Sequence, residues 1–418
     1  MATINPLGDT LDQYIDNLLA GKSGVKRWES LDVSIIECKI GGDLGNYDCN
    51  TALKEMSDDL GETRYKKIRK LFKTATFSSK TAVLCSLKAY RDAGLLGTEV
   101  DPFKTSVMVG GHNLNSKYLY ENGLQFREEP EFIDALSGVE GIDPSVPGLI
   151  TEALELNGPS YTLGGACASG NLALRDGFRD IITGECERSV VTGALFDMCT
   201  ADIHASEYIG AVVTKPEFQD KPETASRPFD KRRDGFVYSH GAGTLIIEEL
   251  ETAKRRNAPI YAEIYGVRAN SNACHLPQPS AEMQYRLIAA LLENTGIAPE
   301  EVDYVNCHAT GTPVGDIEEV KAIHRAFGNH AQKLKINAPK SMLGHVCWSA
   351  PVVETIGGIL QMHRGKLHPT INVDDLDPAV DLDVCADGPV DHQINIMLKN
   401  SFGFGGLNCC SVIGRFEK

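Results

Sequence analysis

Apolar residues fall in short runs rich in β-branched side chains, separated by longer stretches with helical spacing. The runs predict strands over 106–109, 189–192, 244–248, 261–267, 303–307, 334–337 and 394–398. The helical spacing predicts helices over 79–93, 170–182, 280–295, 316–326 and 352–362. Such alternation points to α/β layering with buried strands. The segment 170–182 lacks a clean polar face, which predicts a helix buried between two sheets. The polar run Leu250-Glu251-Thr252-Ala253-Lys254-Arg255-Arg256-Asn257, ending in Ala258-Pro259, marks a soft boundary near 249–259. No short repeat and no low-complexity tract interrupts the pattern.

A chain of 418 residues is enough for one large domain or two ordinary ones. Its net charge of −16 argues against nucleic-acid binding, which needs clustered Lys and Arg to meet phosphates. One stretch runs the other way. Arg64-Tyr65-Lys66-Lys67-Ile68-Arg69-Lys70-Leu71-Phe72-Lys73 holds six basic residues in ten, either a solvated helix face or a dock for an acidic partner. No apolar run reaches the ~20 residues of a membrane span, and no secretory leader is expected. The 12 cysteines contain no C-x-x-C pair, so a zinc ribbon is not expected. Scattered cysteines in a long chain suggest a reduced, cytoplasmic protein, with Cys38, Cys85 and Cys199 as small core residues.

Four separated stretches carry candidate chemistry. Gly164-Gly165-Ala166-Cys167-Ala168-Ser169-Gly170 sets a thiol on a small-residue turn just before a predicted helix. A cysteine there feels the positive end of the helix dipole, which favours thiolate, and nearby backbone N–H groups can receive a carbonyl oxygen. The plain alternative is a structural cysteine in a packing turn. Asn306-Cys307-His308-Ala309-Thr310-Gly311-Thr312-Pro313 places His308 at a strand end, with Thr310 and Thr312 able to hold a polar ligand and Asp316 able to cap the following helix. Lys340-Ser341-Met342-Leu343-Gly344-His345 offers a second histidine with a lysine before it; a surface lysine and a satisfied core histidine would look the same. Asn400-Ser401-Phe402-Gly403-Phe404-Gly405-Gly406 reads as a glycine-rich loop that can bring backbone close to a ligand. One cysteine and two distant histidines suggest thioester chemistry rather than a metal site.

Together and in this order, the stretches resemble the β-ketoacyl synthases, the condensing enzymes of fatty-acid and polyketide assembly. Ser226-Arg227-Pro228-Phe229-Asp230, Arg233-Asp234-Gly235-Phe236-Val237 and Glu354 extend the likeness. The resemblance implies a thiolase-like α/β fold: two pseudo-duplicated halves, 1–250 with Cys167 and 251–418 with His308, Lys340 and His345, in an αβαβα arrangement. It implies that Cys167 accepts an acyl group and that His308 and His345 donate hydrogen bonds to a malonyl thioester, with Lys340 tuning His345. Backbone N–H groups of Cys167 and Phe404 would form an oxyanion hole. Thr310 and Thr312 would hold the phosphopantetheine arm of an acyl carrier protein, with no separate cofactor and no metal. Lys66, Arg69 and Lys70 become a docking surface for that carrier, and a homodimer is expected.

Three positions depart from the pattern of elongating synthases. His240 replaces an acid in the run after Val237, Trp348 replaces a glycine after the second histidine, and Leu407 replaces a threonine after the glycine loop. With Phe402, these residues are expected to shape the pocket and narrow the acyl-chain tunnel. They resemble the free-standing homologues of polyketide β-branching cassettes, which decarboxylate malonyl-carrier protein to acetyl-carrier protein beside an HMG-CoA-synthase-like enzyme. Members of that group often carry serine at the nucleophile, whereas this chain keeps Cys167. The alternatives are a chain-elongating synthase and, more remotely, a non-catalytic subunit like a chain-length factor. Met1–Gly8 matches the loop that follows the family's first strand, so the chain is expected to open at the end of that strand, with a misassigned start expected because loss of a core strand would be costly to the fold.

Overall fold

The computed structural model describes residues 1–417. Two five-stranded mixed sheets form its frame. The first contains β1 (Ala2–Ile4), β2 (Thr105–Gly110), β3 (Ser160–Leu163), β4 (Arg188–Gly193) and β5 (Ala242–Glu248), in the order β3-β2-β4-β5-β1. The second contains β6 (Ala262–Ser271), β7 (Tyr304–Asn306), β8 (Lys335–Asn337), β9 (Ile396–Gly403) and β10 (Leu407–Arg415), in the order β8-β7-β9-β10-β6. Numbered within each sheet, both run third-second-fourth-fifth-first. Both have two parallel pairings followed by two antiparallel ones. The two sheets therefore share one topology.

Helix α3 (Ser169–Ile182) and helix α6 (Ala350–Arg364) lie between the sheets and touch both. Thirteen consecutive residues of α6, Ala350 through Met362, are buried. α6 is covered on nearly every side and shows no polar stripe, whereas α3, expected to be buried throughout, is covered only over its first turns and leaves Arg179 and Ile182 exposed at its end. Outside the first sheet, α2 (Phe77–Asp92) packs on β5 and β1. Outside the second, α4 (Ala281–Thr295) packs on β6 and β10, and α5 (Gly315–Phe327) lies against α4. Among the described residues no helix is long and apolar enough to cross a membrane.

The predicted helices and strands are all present, within a few residues of the expected ends. Three expectations change. The stretch read as a loop from Asn400 is a strand as far as Gly403, because Asn400 pairs with Cys410 and Gly403 with Leu407; only Phe404–Gly406 turn the chain. Gly405 and Gly406 take that turn with φ of 80° and 74°, a region glycine enters without cost. The partner strand β10 was not predicted, because its Asn-Cys-Cys-Ser start carries neither alternation nor a clear apolar run. Finally, Ala2–Ile4 is not loop: it pairs with Thr244–Ala242 of β5 as an edge strand, and the loop begins at Asn5. The polar stretch near the predicted boundary holds a short helix, Leu250–Arg255.

Candidate active site

The site forms where the two central helices begin. Cys167 sits in a tight turn that runs into α3 and is buried. Ala166 before it has φ 46°, a strained value for a residue with a Cβ. Ser169 fixes the turn: its Oγ donates to Ala166 O at 2.7 Å and accepts from Gly165 N at 2.9 Å. Gly403 closes over this turn so tightly that a Cβ there would lie 2.5 Å from Gly165 O and 3.3 Å from Cys167 N. That contact holds the end of β9 against the nucleophile turn, with the Phe404 N–H among the groups that favour the Cys167 thiolate.

The structure does not favour thiolate as the helix-dipole argument expected. Burial pushes the Cys167 thiol up to about 11, and the Lys340 ammonium and the Phe404 N–H only partly offset it. Desolvation outweighs a dipole when the thiol is this enclosed.

His308 and His345 come from separate loops of the second half to meet Cys167. The thiol and one nitrogen of each ring all lie within 4.8 Å of one another. The two rings stand edge to face, 5.7 Å between centroids, with Phe402 against His308 at 5.7 Å and Phe236 against His345 at 5.2 Å. Burial, then the charge of Lys340, holds both imidazoles well below the usual histidine range; Lys399 acts in the same direction. Both are therefore neutral near pH 7.

The tautomer of His345 is set by its neighbour. Cys347 N donates to His345 Nδ1 at 3.2 Å, so the proton of the neutral ring is on Nε2. That Nε2 is buried without a partner, a donor awaiting an acceptor. This works against holding a metal, which would need a lone pair on the same nitrogen.

His308 is held by Glu319, a residue the sequence reading did not single out. The Glu319 carboxylate accepts from His308 N at 2.8 Å, Ala309 N at 2.7 Å and Asn400 Nδ2 at 2.9 Å. Its spacing of three after Asp316, on one face of α5, was the available signal. Asp316 does not cap that helix as expected. It accepts from Gly311 N at 3.1 Å and Phe229 N at 2.9 Å, tying the threonine loop to the Arg227–Gly235 segment. Thr310 and Thr312 stand with hydroxyls 3.2 Å apart, and Arg233 anchors their loop through the Thr312 and Pro313 carbonyls.

Lys340 is fully buried and pairs with Glu354 of α6 at 2.6 Å. The other oxygen of Glu354 is taken at 2.6 Å by Lys399 of β9, which the sequence reading also passed over. A lysine directly after the apolar run Ile396-Met397-Leu398 was the cue.

This arrangement joins two halves by name as well as by shape. The chain matches the β-ketoacyl synthase N-terminal domain over residues 1–253 and the β-ketoacyl synthase C-terminal domain over residues 261–374. The chain belongs to the β-ketoacyl synthase family. It is 33% identical to a 3-oxoacyl-[acyl-carrier-protein] synthase 2 of Coxiella burnetii, covering 99% of this chain and 97% of that one. It is 34% identical to the polyketide biosynthesis malonyl-ACP decarboxylase PksF of Bacillus subtilis, covering 84% and 83%. Among solved structures it superposes with a TM-score of 0.86, at 25% identity over 99% of this chain and 98% of the other, on a chain of AntDE:AntF, a type II PKS acyl-carrier protein in complex with its ketosynthase. The fold is thus the thiolase-like ketosynthase fold.

The remaining residues of this ketosynthase are placed as follows. Trp348 lies in the turn after His345 and stacks on His112 at 4.2 Å and near Phe196 at 5.2 Å. His112 in turn packs on Gly164, at the start of the nucleophile turn. Leu407 covers Gly165 on the other side. His240 is not gathered with the histidine pair. Its ring contacts Trp28 and Phe77, its Nδ1 accepts from Leu44 N at 3.1 Å, and it borders a separate cavity of about 260 Å³ with Lys117 and Asp197. The basic stretch lies on helix α1 (Ser57–Leu71), with Ile68 and Phe72 buried and Lys66, Arg69, Lys70 and Lys73 exposed. Within it, Arg64 and Lys67 pair with Glu155, and Lys66 with Glu62. Eleven of the 12 cysteines are buried, and all are unpaired.

Proposed function

We propose that this ketosynthase acts on malonyl-acyl carrier protein and decarboxylates it to acetyl-carrier protein, as in polyketide β-branching. The observation that carries the reading is the stacked Trp348 and His112 beside the nucleophile turn, which fills space a long acyl chain would need. The relative named as a malonyl-ACP decarboxylase supports it. In this mechanism the malonyl thioester oxygen accepts from Nε2 of His345 and from His308. The C–C bond to the carboxylate breaks, CO₂ leaves, and the electron pair becomes an enolate. Two neutral donors preset for that oxygen stabilise charge that exists only as the bond breaks. A solvent proton then adds to carbon and gives the acetyl thioester. Cys167 forms no bond in this sequence. Lys340 supplies positive charge behind the donors, and Thr310 and Thr312 hold the phosphopantetheine arm.

Elongation is the second reading. Cys167 favours it, since the Phe404 N–H that acyl transfer would use is among the groups that support its thiolate, and so does the synthase relative. Incubation with malonyl-carrier protein alone, followed by intact-protein mass spectrometry, separates the two. Acetyl-carrier protein is expected, with little carbon–carbon bond formation when an acyl donor is added. Rapid appearance of a β-ketoacyl carrier product would overturn the decarboxylase reading.

The carrier docks on the exposed face of α1, where Lys66, Arg69 and Lys70 meet an acidic partner. Arg69→Glu with Lys70→Glu is expected to raise KM for the carrier about tenfold at low salt while leaving kcat unchanged, and the effect shrinks as salt is added. An unchanged KM would remove this surface from the interface. Strand β3 supports a homodimer: it is an unpaired sheet edge with Ser160 and Tyr161 exposed, open to a second copy. An HMG-CoA-synthase-like enzyme would consume the acetyl-carrier product in the cytoplasm.

A further inference from the structure

A second polar cavity lies apart from the thiol and its two histidines. It has a volume of about 260 Å³ and is bordered by His240, Asp197, Lys117, Glu121, Phe77 and Tyr118. His240 is 2% exposed. Its Nδ1 accepts from Leu44 N at 3.1 Å, which puts the ring's proton on Nε2. The Nδ1 edge also faces Asp43 Oδ1 at 3.7 Å, and neither Leu44 nor Asp43 borders the cavity. The opposite edge therefore turns to the cavity, and its Nε2 is buried without a partner. A buried donor left unpaired is destabilising, so this one calls for an acceptor.

Asp197 supplies the complementary group. It is 8% exposed, and among the described residues no donor hydrogen-bonds its carboxyl. Burial pushes it up to about 6, so it is ionised at pH 8. Its backbone is fixed: Asp197 N donates to Leu114 O at 2.9 Å, and Asp197 O accepts from Lys117 N at 2.9 Å. Four carboxylates, Asp43, Asp197, Asp202 and Glu121, stand here against one ammonium, Lys117. Asp43 keeps its charge while accepting from Glu29 N, Ser30 N, Ser30 Oγ and Gly45 N. Lys117 Nζ turns to Ser30 O at 3.3 Å and makes no ion pair with Asp197. Phe77 and Tyr118 add aromatic wall, a surface that accommodates a cation.

We infer that this cavity binds a small organic ammonium ion carrying a hydroxyl or carbonyl oxygen: the ammonium pairs with Asp197 and the oxygen accepts from His240 Nε2. The volume lies below the roughly 300–1,000 Å³ of pockets for drug-sized ligands, so only a few heavy atoms fit. Neither Cys167 nor the histidine pair borders the cavity. It is nonetheless one residue from the wall of their site, because Asp197 follows Phe196, whose ring lies 5.2 Å from Trp348.

Saturation-transfer NMR on the full chain at pH 8 tests this, with ethanolamine as the probe and ethylene glycol, glycolate and ethylamine as comparators. Ethanolamine is expected to bind at least about tenfold more tightly than ethylene glycol or glycolate, the worth of one charged hydrogen bond in a buried site. Asp197→Asn keeps the shape, removes the charge and is expected to abolish that preference. His240→Phe keeps a ring and removes the donor. It is expected to weaken ethanolamine about three- to tenfold and to leave ethylamine, which has no oxygen, unchanged. Equal binding of the three oxygen-bearing probes, or no saturable binding of ethanolamine, would overturn the inference and leave the cavity to water. Ethanolamine binding that Asp197→Asn does not weaken would overturn it too, since a chain of net charge −16 attracts cations over its whole surface. If Asp197→Asn does not fold, His240→Phe decides: equal effects on ethanolamine and ethylamine overturn the inference, and a loss confined to ethanolamine supports it. If neither variant folds, the ranking of the probes on the wild type decides.

Discussion

His308→Ala is expected to lower CO₂ release from malonyl-carrier protein by on the order of 10²–10³-fold, the loss seen when one preset oxyanion donor is removed. The reason is geometric. His308 stands 5.7 Å from His345 between ring centroids, both rings are neutral, and each turns one nitrogen toward the same small space beside Cys167. Removing one leaves the enolate oxygen with a single donor. Cys167→Ala is the complement. It is expected to leave CO₂ release within about threefold, because the thiol forms no bond in decarboxylation. Both are read by carrier-protein mass spectrometry over a time course. Equal losses in the two variants would mean that acyl transfer to the thiol precedes decarboxylation, and the enzyme would then be a synthase.

The second large effect is expected at Trp348. Trp348→Gly removes the ring that lies on His112 and Phe196 and reopens space beside the nucleophile turn. Acylation of Cys167 by a medium-chain acyl-carrier protein should rise at least about tenfold, since filling a pocket with apolar chain is favoured by about 0.8 kcal/mol per methylene. CO₂ release should change little. The same substitution costs stability, about 3 kcal/mol at the lower end of aromatic truncations because Trp348 is only partly buried. Labelled acyl chain retained on the protein is the measurement, with thermal unfolding as control. No gain in acylation would show that the channel is closed elsewhere and that Trp348 does not set the substrate.

The contrast between His345 and His240 shows how far local reading reaches. Both are buried histidines in irregular segments, and both accept a backbone N–H on Nδ1. Only His345 meets the thiol. The stretch around His345, with Lys340 five residues before it, set it apart from His240 only by resemblance; the fold supplies the physical difference, because it brings the His345 loop and not the His240 segment against Cys167.

By itself the sequence determined the layered α/β class and the presence of Cys167, His308 and His345. Those signals are local: apolar periodicity records which faces are covered, and reactive side chains on glycine-bounded turns record where backbone must approach a ligand. Tertiary structure decided the rest. It made the Asn400–Gly403 stretch a strand by pairing it with β10, turned an expected thiolate into a thiol by enclosing it, and moved Asp316 from helix cap to loop tie. It also gave Lys399 and Glu319 their places, because a buried charge is defined by partners distant in sequence: Glu354 for one, the His308 loop for the other. Desolvation, strand pairing and charge sharing all depend on which segments meet, and only the folded chain brings them together.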